Sequence, residues 1–340
     1  MGHMDKQTTK YGVPDHQKRT PSLGKPSDCS NKGRKTIIVI SKSNKLASSQ
    51  LILHFFPTLP FSPHKPRNMP TTVAIAGISS RLALLVTKAL LKRPDVYIRG
   101  SCRDINKLPD ELKASPRIAL IQSGPYDREN LRALIGGSDV VMCAYFADDE
   151  TMLSAQRLLI DLCAEEGITR YIASDYTGDY RNLDWGDLAI KEPMKHIAAY
   201  VEEKEGVTGI HILVGLFMET FLDYFGVVDK EGKKMSYWGS GDEKWDLTSY
   251  ETAAEYIAAV ALDPAATGFF KCGKYQSHPS CNAHFADKGN LVRGERKSAR
   301  ELAADVESVH GINLTMESRG LLTNLEAKLD RKGNAENILE

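Results

Sequence analysis

Residues 72–92 read TVAIAGISSRLALLVTKALLK, and this stretch decides the fold. Thr72–Ala76 is a short β-branched and apolar run that Gly77 ends. From Arg81 to Lys92 apolar residues recur at helical spacing, at Leu82, Leu85, Val86, Ala89 and Leu90. A buried strand, a tight turn and an amphipathic helix are the pattern of a βα unit in a parallel sheet.

Working outward, the same alternation repeats. Val96–Ser101 and Ile118–Gln122 read as strands, Arg128–Ile135 as a helix, Asp139–Tyr145 as a strand, Thr151–Glu166 as a helix and Arg170–Ser174 as a strand. Further on, Ile210–Val214 reads as another strand and Glu251–Leu262 as an amphipathic helix. Strands alternating with helices of about 10–15 residues predict a Rossmann-type, doubly wound parallel sheet, here with a small C-terminal lobe. The expected borders are a basic extension over 1–68, a dinucleotide-binding domain over 69–215 and a substrate lobe over 216–340, with an inserted loop near 273–297.

The turn Gly77–Ala83, GISSRLA, sits where a dinucleotide fold places its glycine-rich phosphate loop. Gly77 serves the turn, Ser80 stands where a second glycine allows close backbone approach, and Ala83 is an accepted substitute at the third place. Ser80 keeps a backbone N–H and adds a hydroxyl, although its Cβ crowds the phosphate. Gly77, Ser79, Ser80, Arg81 and Leu82 are therefore the candidate phosphate-binding residues. At the end of the second strand, Arg103 and Lys107 in SCRDINK stand where the adenosine ribose would lie. Cations there suit the 2′-phosphate of NADPH, whereas an inward Asp104 would favour NADH. The expected cofactor is NADPH.

The segments VAIAGISSRLALLVTKALL, GSCRDINK, GPYDRENLRALIGGSDVV and IASDYTG resemble the NmrA-like family, which includes isoflavone-reductase-like enzymes. The resemblance runs from about Thr72 to Leu262, with weaker similarity in SARELAADVE. It implies an NAD(P)-binding half with a small substrate lobe, and either a reductase of aromatic or other secondary metabolites or a regulator that binds dinucleotide without turnover. The family's catalytic lysine stands 11 residues before a glycine closing its helix; Gly206 lies 11 after Lys195, so the resemblance gives that role to Lys195.

No Tyr-x-x-x-Lys pair stands at the expected place. In KEPMK, Pro193 suits the first helical position, so Lys195 falls in the first turn and Lys191 in the loop before it. A first-turn lysine opposes the helix dipole, and burial in a cleft would lower its pKa into a usable range. Lys191 is the second candidate amine. Ser174, Asp175 and Tyr176 end the fifth strand, beyond which ligands bind in open α/β sheets. Ser174 is read as orienting a substrate carbonyl and Tyr176 as a proton donor or pocket wall. Tyr145 and Phe146 follow the fourth strand and are read as lining for the nicotinamide. Asp175, Phe146, Phe217, Met218, Phe221 and Trp238 are the expected substrate pocket, suited to a small hydrophobic metabolite.

Composition narrows the remaining choices. Residues 1–68 carry 12 Lys and Arg against 3 Asp, a charge of +9, so the rest carries 32 basic and 41 acidic residues, or −9. An acidic body argues against nucleic-acid binding. The initial MGHM reads as a tag remnant, and the basic, Ser-rich stretch after it as a disordered tail or a transit peptide. Cys29, Cys102, Cys143, Cys163, Cys272 and Cys281 form no CxxC pair, which fits a reducing, cytoplasmic setting. No run approaches the roughly 18–20 apolar residues of a membrane span. His278, Cys281 and His284 match no zinc spacing, so no metal is expected. A monomer and a homodimer both remain open. The leading functional expectation is an NADPH-dependent reductase of a carbonyl, enone or imine; a cyclase or isomerase on the same fold and an NAD(P)-sensing regulator are the alternatives.

Overall fold

The computed structural model describes residues 70–224, 227–229, 231–272 and 295–325. The chain divides into units 1–63 and 64–340, and every described residue belongs to the second. The N-terminal extension and most of the expected insertion, with His278, Cys281 and His284, lie outside the described residues.

Seven strands build one sheet: β1 (Thr71–Ala76), β2 (Val96–Cys102), β3 (Ile118–Gln122), β4 (Val140–Cys143), β5 (Arg170–Ile172), β6 (Thr208–Leu213) and, from much later in the chain, β11 (Gly268–Lys271). Their order is β11-β6-β5-β4-β1-β2-β3, and every pairing in it is parallel. The order reverses at β1, between β2 and β4, which creates a crevice beyond the carboxyl ends of β1 and β4.

Side-chain alternation decides what each face packs against. Val73 and Ile75 of β1, Val140 and Met142 of β4, and Ile210 and Ile212 of β6 bury on one face. There they meet Leu82, Val86 and Leu90 of α1 (Arg81–Leu91) and the alanine-rich side of α7 (Tyr250–Leu262). Ala74, Ala76, Val141, Cys143 and Tyr171 point the other way. They pack on α3 (Arg128–Ile135), α4 (Asp149–Glu165) and α5 (Glu192–Glu202), while the short α2 (Asp110–Lys113) leads into β3. The result is a three-layer sandwich with strands buried on both faces, which is why they read as continuous apolar runs.

Arginines tie the layers together at helix ends. Arg99 donates to the carbonyls of Ala133 and Gly136 at the end of α3, and Arg117 to those of Leu91 and Arg93 after α1. Arg170 on β5 donates to Val260 (3.2 Å), Ala261 (3.0 Å) and Asp263 (2.6 Å) at the end of α7. A cation there satisfies orphan carbonyls and complements the negative helix end. Arg170→Ala is expected to cost about 3 kcal/mol, the range for lost hydrogen bonds to a charged group. A lower urea midpoint at unchanged slope checks this; a midpoint shift worth under about 1 kcal/mol would show that the contact contributes little.

The smaller lobe is formed by two three-stranded sheets. One has the order β12-β10-β7, from β7 (Leu216–Phe217), β10 (Lys244–Thr248) and β12 (Glu295–Ser298); the other has the order β13-β9-β8, from β8 (Val228–Asp229), β9 (Lys234–Tyr237) and β13 (Thr315–Ser318). With α6 (Met218–Tyr224) and α8 (Ala299–His310) they enclose a core of Met235, Leu247, Leu302 and Val306. Ser298 and Glu301 form a capping box at the start of α8, and Gly311, at φ 64°, closes its end. The expected border at residue 215 does not separate the two bodies in chain order: α7 and β11 return to the main sheet between the lobe's two stretches.

Candidate functional site

The crevice begins at the turn after β1. Gly77 has φ +85°, and a Cβ there would lie 2.9 Å from the Ala144 carbonyl oxygen and 3.1 Å from Cδ1 of the Tyr145 ring. Glycine is thus required twice, by conformation and by the approach of the chain leaving β4. Ser80 is the N-cap of α1, and its hydroxyl oxygen accepts from the Ala83 amide at 3.2 Å. The side chain at the second position of the turn therefore turns onto its own helix. Arg81 and Leu82 are the first helical residues, whose amides have no carbonyl a turn earlier, and the positive end of the α1 dipole adds to them. This is a fitting place for a pyrophosphate. Ser79 and Arg81 are exposed beside it. The Arg81 guanidinium lies 4.3 Å from the ring centre of Tyr250, which in turn stacks on Phe217 at 4.0 Å with the rings 1° from parallel.

At the end of β2, Arg103 and Lys107 are both exposed. Asp104 between them caps the following turn, accepting the Asn106 amide at 3.0 Å. One oxygen of Asp104 is thus engaged locally, and the two cations stand exposed just beyond the end of β2.

The strand ends across the switch point carry the candidate acid–base groups. Ser174 gives its hydroxyl proton to the Tyr145 carbonyl at 2.7 Å. Tyr176 sits at φ 35°, a strained value for tyrosine, and its hydroxyl donates to the Cys143 carbonyl at 2.9 Å. Burial pushes that phenol well above its ordinary pKa. Tyr176 is thus placed as a packing residue whose proton is held inside, not as a proton donor facing the crevice. Asp175 also differs from expectation: its side chain is 0% exposed, so its carboxyl lies in the interior and not on the pocket wall. Tyr145 is half-buried with its ring edge against Gly77, whereas Phe146 is 98% exposed.

The two lysines part company. Lys195 has its amine 2.7 Å from the Asp184 carbonyl, 3.1 Å from Glu192 and 4.4 Å from the centre of the Trp185 ring, and its side chain is 10% exposed. Lys191, at the N-cap of α5, instead sends its amine to the Thr177 hydroxyl just beyond β5. Burial holds the Lys191 amine below the ordinary lysine value, and the charge of Asp175 opposes that shift. Of the pocket candidates in the lobe, Phe217 meets Tyr250, Met218 and Phe221 border the lobe core, with Phe221 edge-on to Trp245, and Trp238 packs against Gly320.

A family model described as NAD(P)H-binding matches residues 77–263, more than half of the chain, from the turn after β1 to the end of α7. The chain belongs to the NAD(P)H-binding family. No curated protein matches this NAD(P)H-binding chain by sequence. Among solved structures, isoflavone reductase is 17% identical, with 80% of this chain and 86% of that one covered and a TM-score of 0.61. AtPrR2 with NADP+ and (+)pinoresinol is 16% identical, covering 78% and 83%, with a TM-score of 0.59. The leucoanthocyanidin reductase–NADPH complex from Vitis vinifera is 15% identical, covering 79% and 83%, with a TM-score of 0.59. These proteins share the fold. No helix among the described residues is long and apolar enough to cross a membrane.

Two arrangements, one beneath the crevice and one at its turn, escape a reading of the sequence. His211 and Tyr180 both bond to Asp175, the first with Nδ1 2.6 Å from Oδ2 and the second donating to the same oxygen at 3.0 Å. Tyr250 at the start of α7 meets Arg81 of the phosphate turn. The isolated His within the apolar run Ile210–Leu213 was the available signal for the first; nothing local marks the second.

Proposed function

We propose that this protein is an NADPH-dependent reductase of a carbonyl, enone or imine in a hydrophobic metabolite. The observation that carries this reading is the Lys191 amine, held by Thr177 five residues beyond the carboxyl end of β5, on the side of the sheet where open α/β folds bind their ligands. A dinucleotide bound there supplies hydride; the protein's part is to orient it and to hold a proton. The amides of Arg81 and Leu82 take the pyrophosphate, Arg103 and Lys107 the 2′-phosphate, and Tyr145 walls the nicotinamide end. Lys191 holds the proton at Nζ for the substrate oxygen or nitrogen, and Phe217 offers a flat apolar surface near the crevice. The proteins that share the fold support this chemistry: one was solved with NADP+ and (+)pinoresinol.

Calorimetric titration with NADPH and NADH tests the cofactor half. Tight NADPH with weak NADH is expected, and absence of binding by either removes the reading. Arg103→Ala is expected to weaken NADPH by roughly 10- to 100-fold, the range for a charge-assisted phosphate contact, while leaving NADH within about threefold. Equal weakening of both would take Arg103 off the 2′-phosphate.

A further inference from the structure

Beneath the crevice, the Asp175 carboxyl is sealed inside the protein and its two oxygens are treated unequally. Oδ2 takes the Tyr180 hydroxyl and the His211 ring, whereas Oδ1 is buried with no partner. The arrangement is built in depth. His211 is 4% exposed and stacks on Phe269 at 4.5 Å with the rings 19° apart. Gly209 makes room for it, since a Cβ there would fall 2.9 Å from His211 Nε2 and 2.6 Å from Val201 Cγ1. A buried carboxylate with an unmatched oxygen is costly unless a positive charge stands near. Two residues along the chain, Thr177 holds the Lys191 amine, and that amine feels the Asp175 charge.

We propose that Asp175, fixed by His211 and Tyr180, is a positioning residue that keeps the Lys191 amine protonated. The inference rests on the reading of Lys191 as the site's amine. Other ionisable groups on the neighbouring elements are engaged elsewhere or neutral. Asp179 pairs with Arg181 and Lys271, and Glu192 pairs with Lys195. His196 lies against Trp185 with the two rings tilted by 42°. Burial holds the Cys143 thiol, up at about 12, and the Tyr176 phenol in their neutral forms. The charge of Asp175 favours the protonated Lys191 amine, while the Asp187 carboxylate is taken up by the Asp184 amide.

The sign follows directly. Burial disfavours the charged amine and a fixed negative charge favours it. Removing that charge must therefore lower the pH at which Lys191 loses its proton. Competitive acetylation of the full-length protein with acetic anhydride, followed by mass spectrometry of the Lys191 peptide across pH, reads this without any substrate. Asp175→Asn is expected to raise the neutral fraction of Lys191 at a given pH by about tenfold, a one-unit fall in its midpoint. Where the single variant does not fold, Asp175→Asn with His211→Gln replaces the carboxylate–imidazole pair by two amides that can bond to each other, and the same fall is expected. An unmoved midpoint overturns the proposal even if Lys191→Met abolishes turnover. A lowered midpoint sustains it even if turnover survives Lys191→Met, in which case the proposed function is what fails.

Discussion

Lys191→Met lowers turnover by roughly 10²- to 10⁴-fold, the range for loss of a positioned proton donor, while the affinity for NADPH stays within about twofold. Methionine keeps the length and the apolar stem, so the change removes the amine and little packing. NADPH oxidation with a panel of aromatic carbonyls and enones measures the first quantity, and calorimetry the second. The same substitution at Lys195 is expected to cost less than about tenfold. Its amine is drawn away by the Asp184 carbonyl, Glu192 and the face of Trp185, a set of contacts that anchors residues 184–192 over the start of α5. The opposite ranking, with Lys195→Met the severe variant, would restore the role that family resemblance gives to Lys195. On the proposal that Lys191 acts in its charged form, turnover should fall as pH rises through the amine's own pKa, which burial places below the ordinary lysine value. A pH profile flat through the alkaline range would remove Lys191 as the donor.

What made the fold legible is burial on both faces. Strands such as Val140–Cys143 are apolar throughout because α1 and α7 cover one side and α3, α4 and α5 the other. The phosphate turn was readable for the same reason: Gly77 follows a buried strand and precedes a periodic helix. Ser80 was only half read. Its position argued for crowding at the phosphate, but a serine directly before a helix is also the usual N-cap, and the hydroxyl takes that second role. The choice between Lys191 and Lys195 was not legible, because helical spacing gives positions along α5 and says nothing of how residues 178–190 fold over it. Asp175 and Tyr176 lie three and four residues beyond the end of β5, which stops at Ile172 and not at Ser174. Which of their side chains turned inward depended on partners far away in sequence, Cys143 for one and His211 for the other. The seventh strand shows the same limit. Gly268–Lys271 is short and partly exposed, and only its pairing with β6 makes it part of the sheet.

Gly77→Ala should abolish NADPH binding and lower stability together. Alanine at φ +85° is strained whatever the space, at roughly 1–2 kcal/mol. Its methyl would also press within 2.9 Å of the Ala144 carbonyl oxygen, which is backbone at the end of β4 and cannot swing aside as a side chain would. Overpacking of that kind costs a further 1–3 kcal/mol or so. The combined loss of about 2–5 kcal/mol is a large fraction of an ordinary domain's stability. Relief can come only by moving the turn or the end of β4, and each carries part of the site: α1 with its first amides on one side, Tyr145 on the other. Thermal unfolding with and without NADPH separates the two effects. The variant should melt lower and show no rise in melting temperature with added NADPH, whereas the wild-type protein should be stabilised by it. A variant that melts lower yet keeps the full NADPH-induced rise would show that the turn can shift without closing the phosphate site. That result would move the weight of cofactor binding from the Gly77 turn to Arg103 and Lys107.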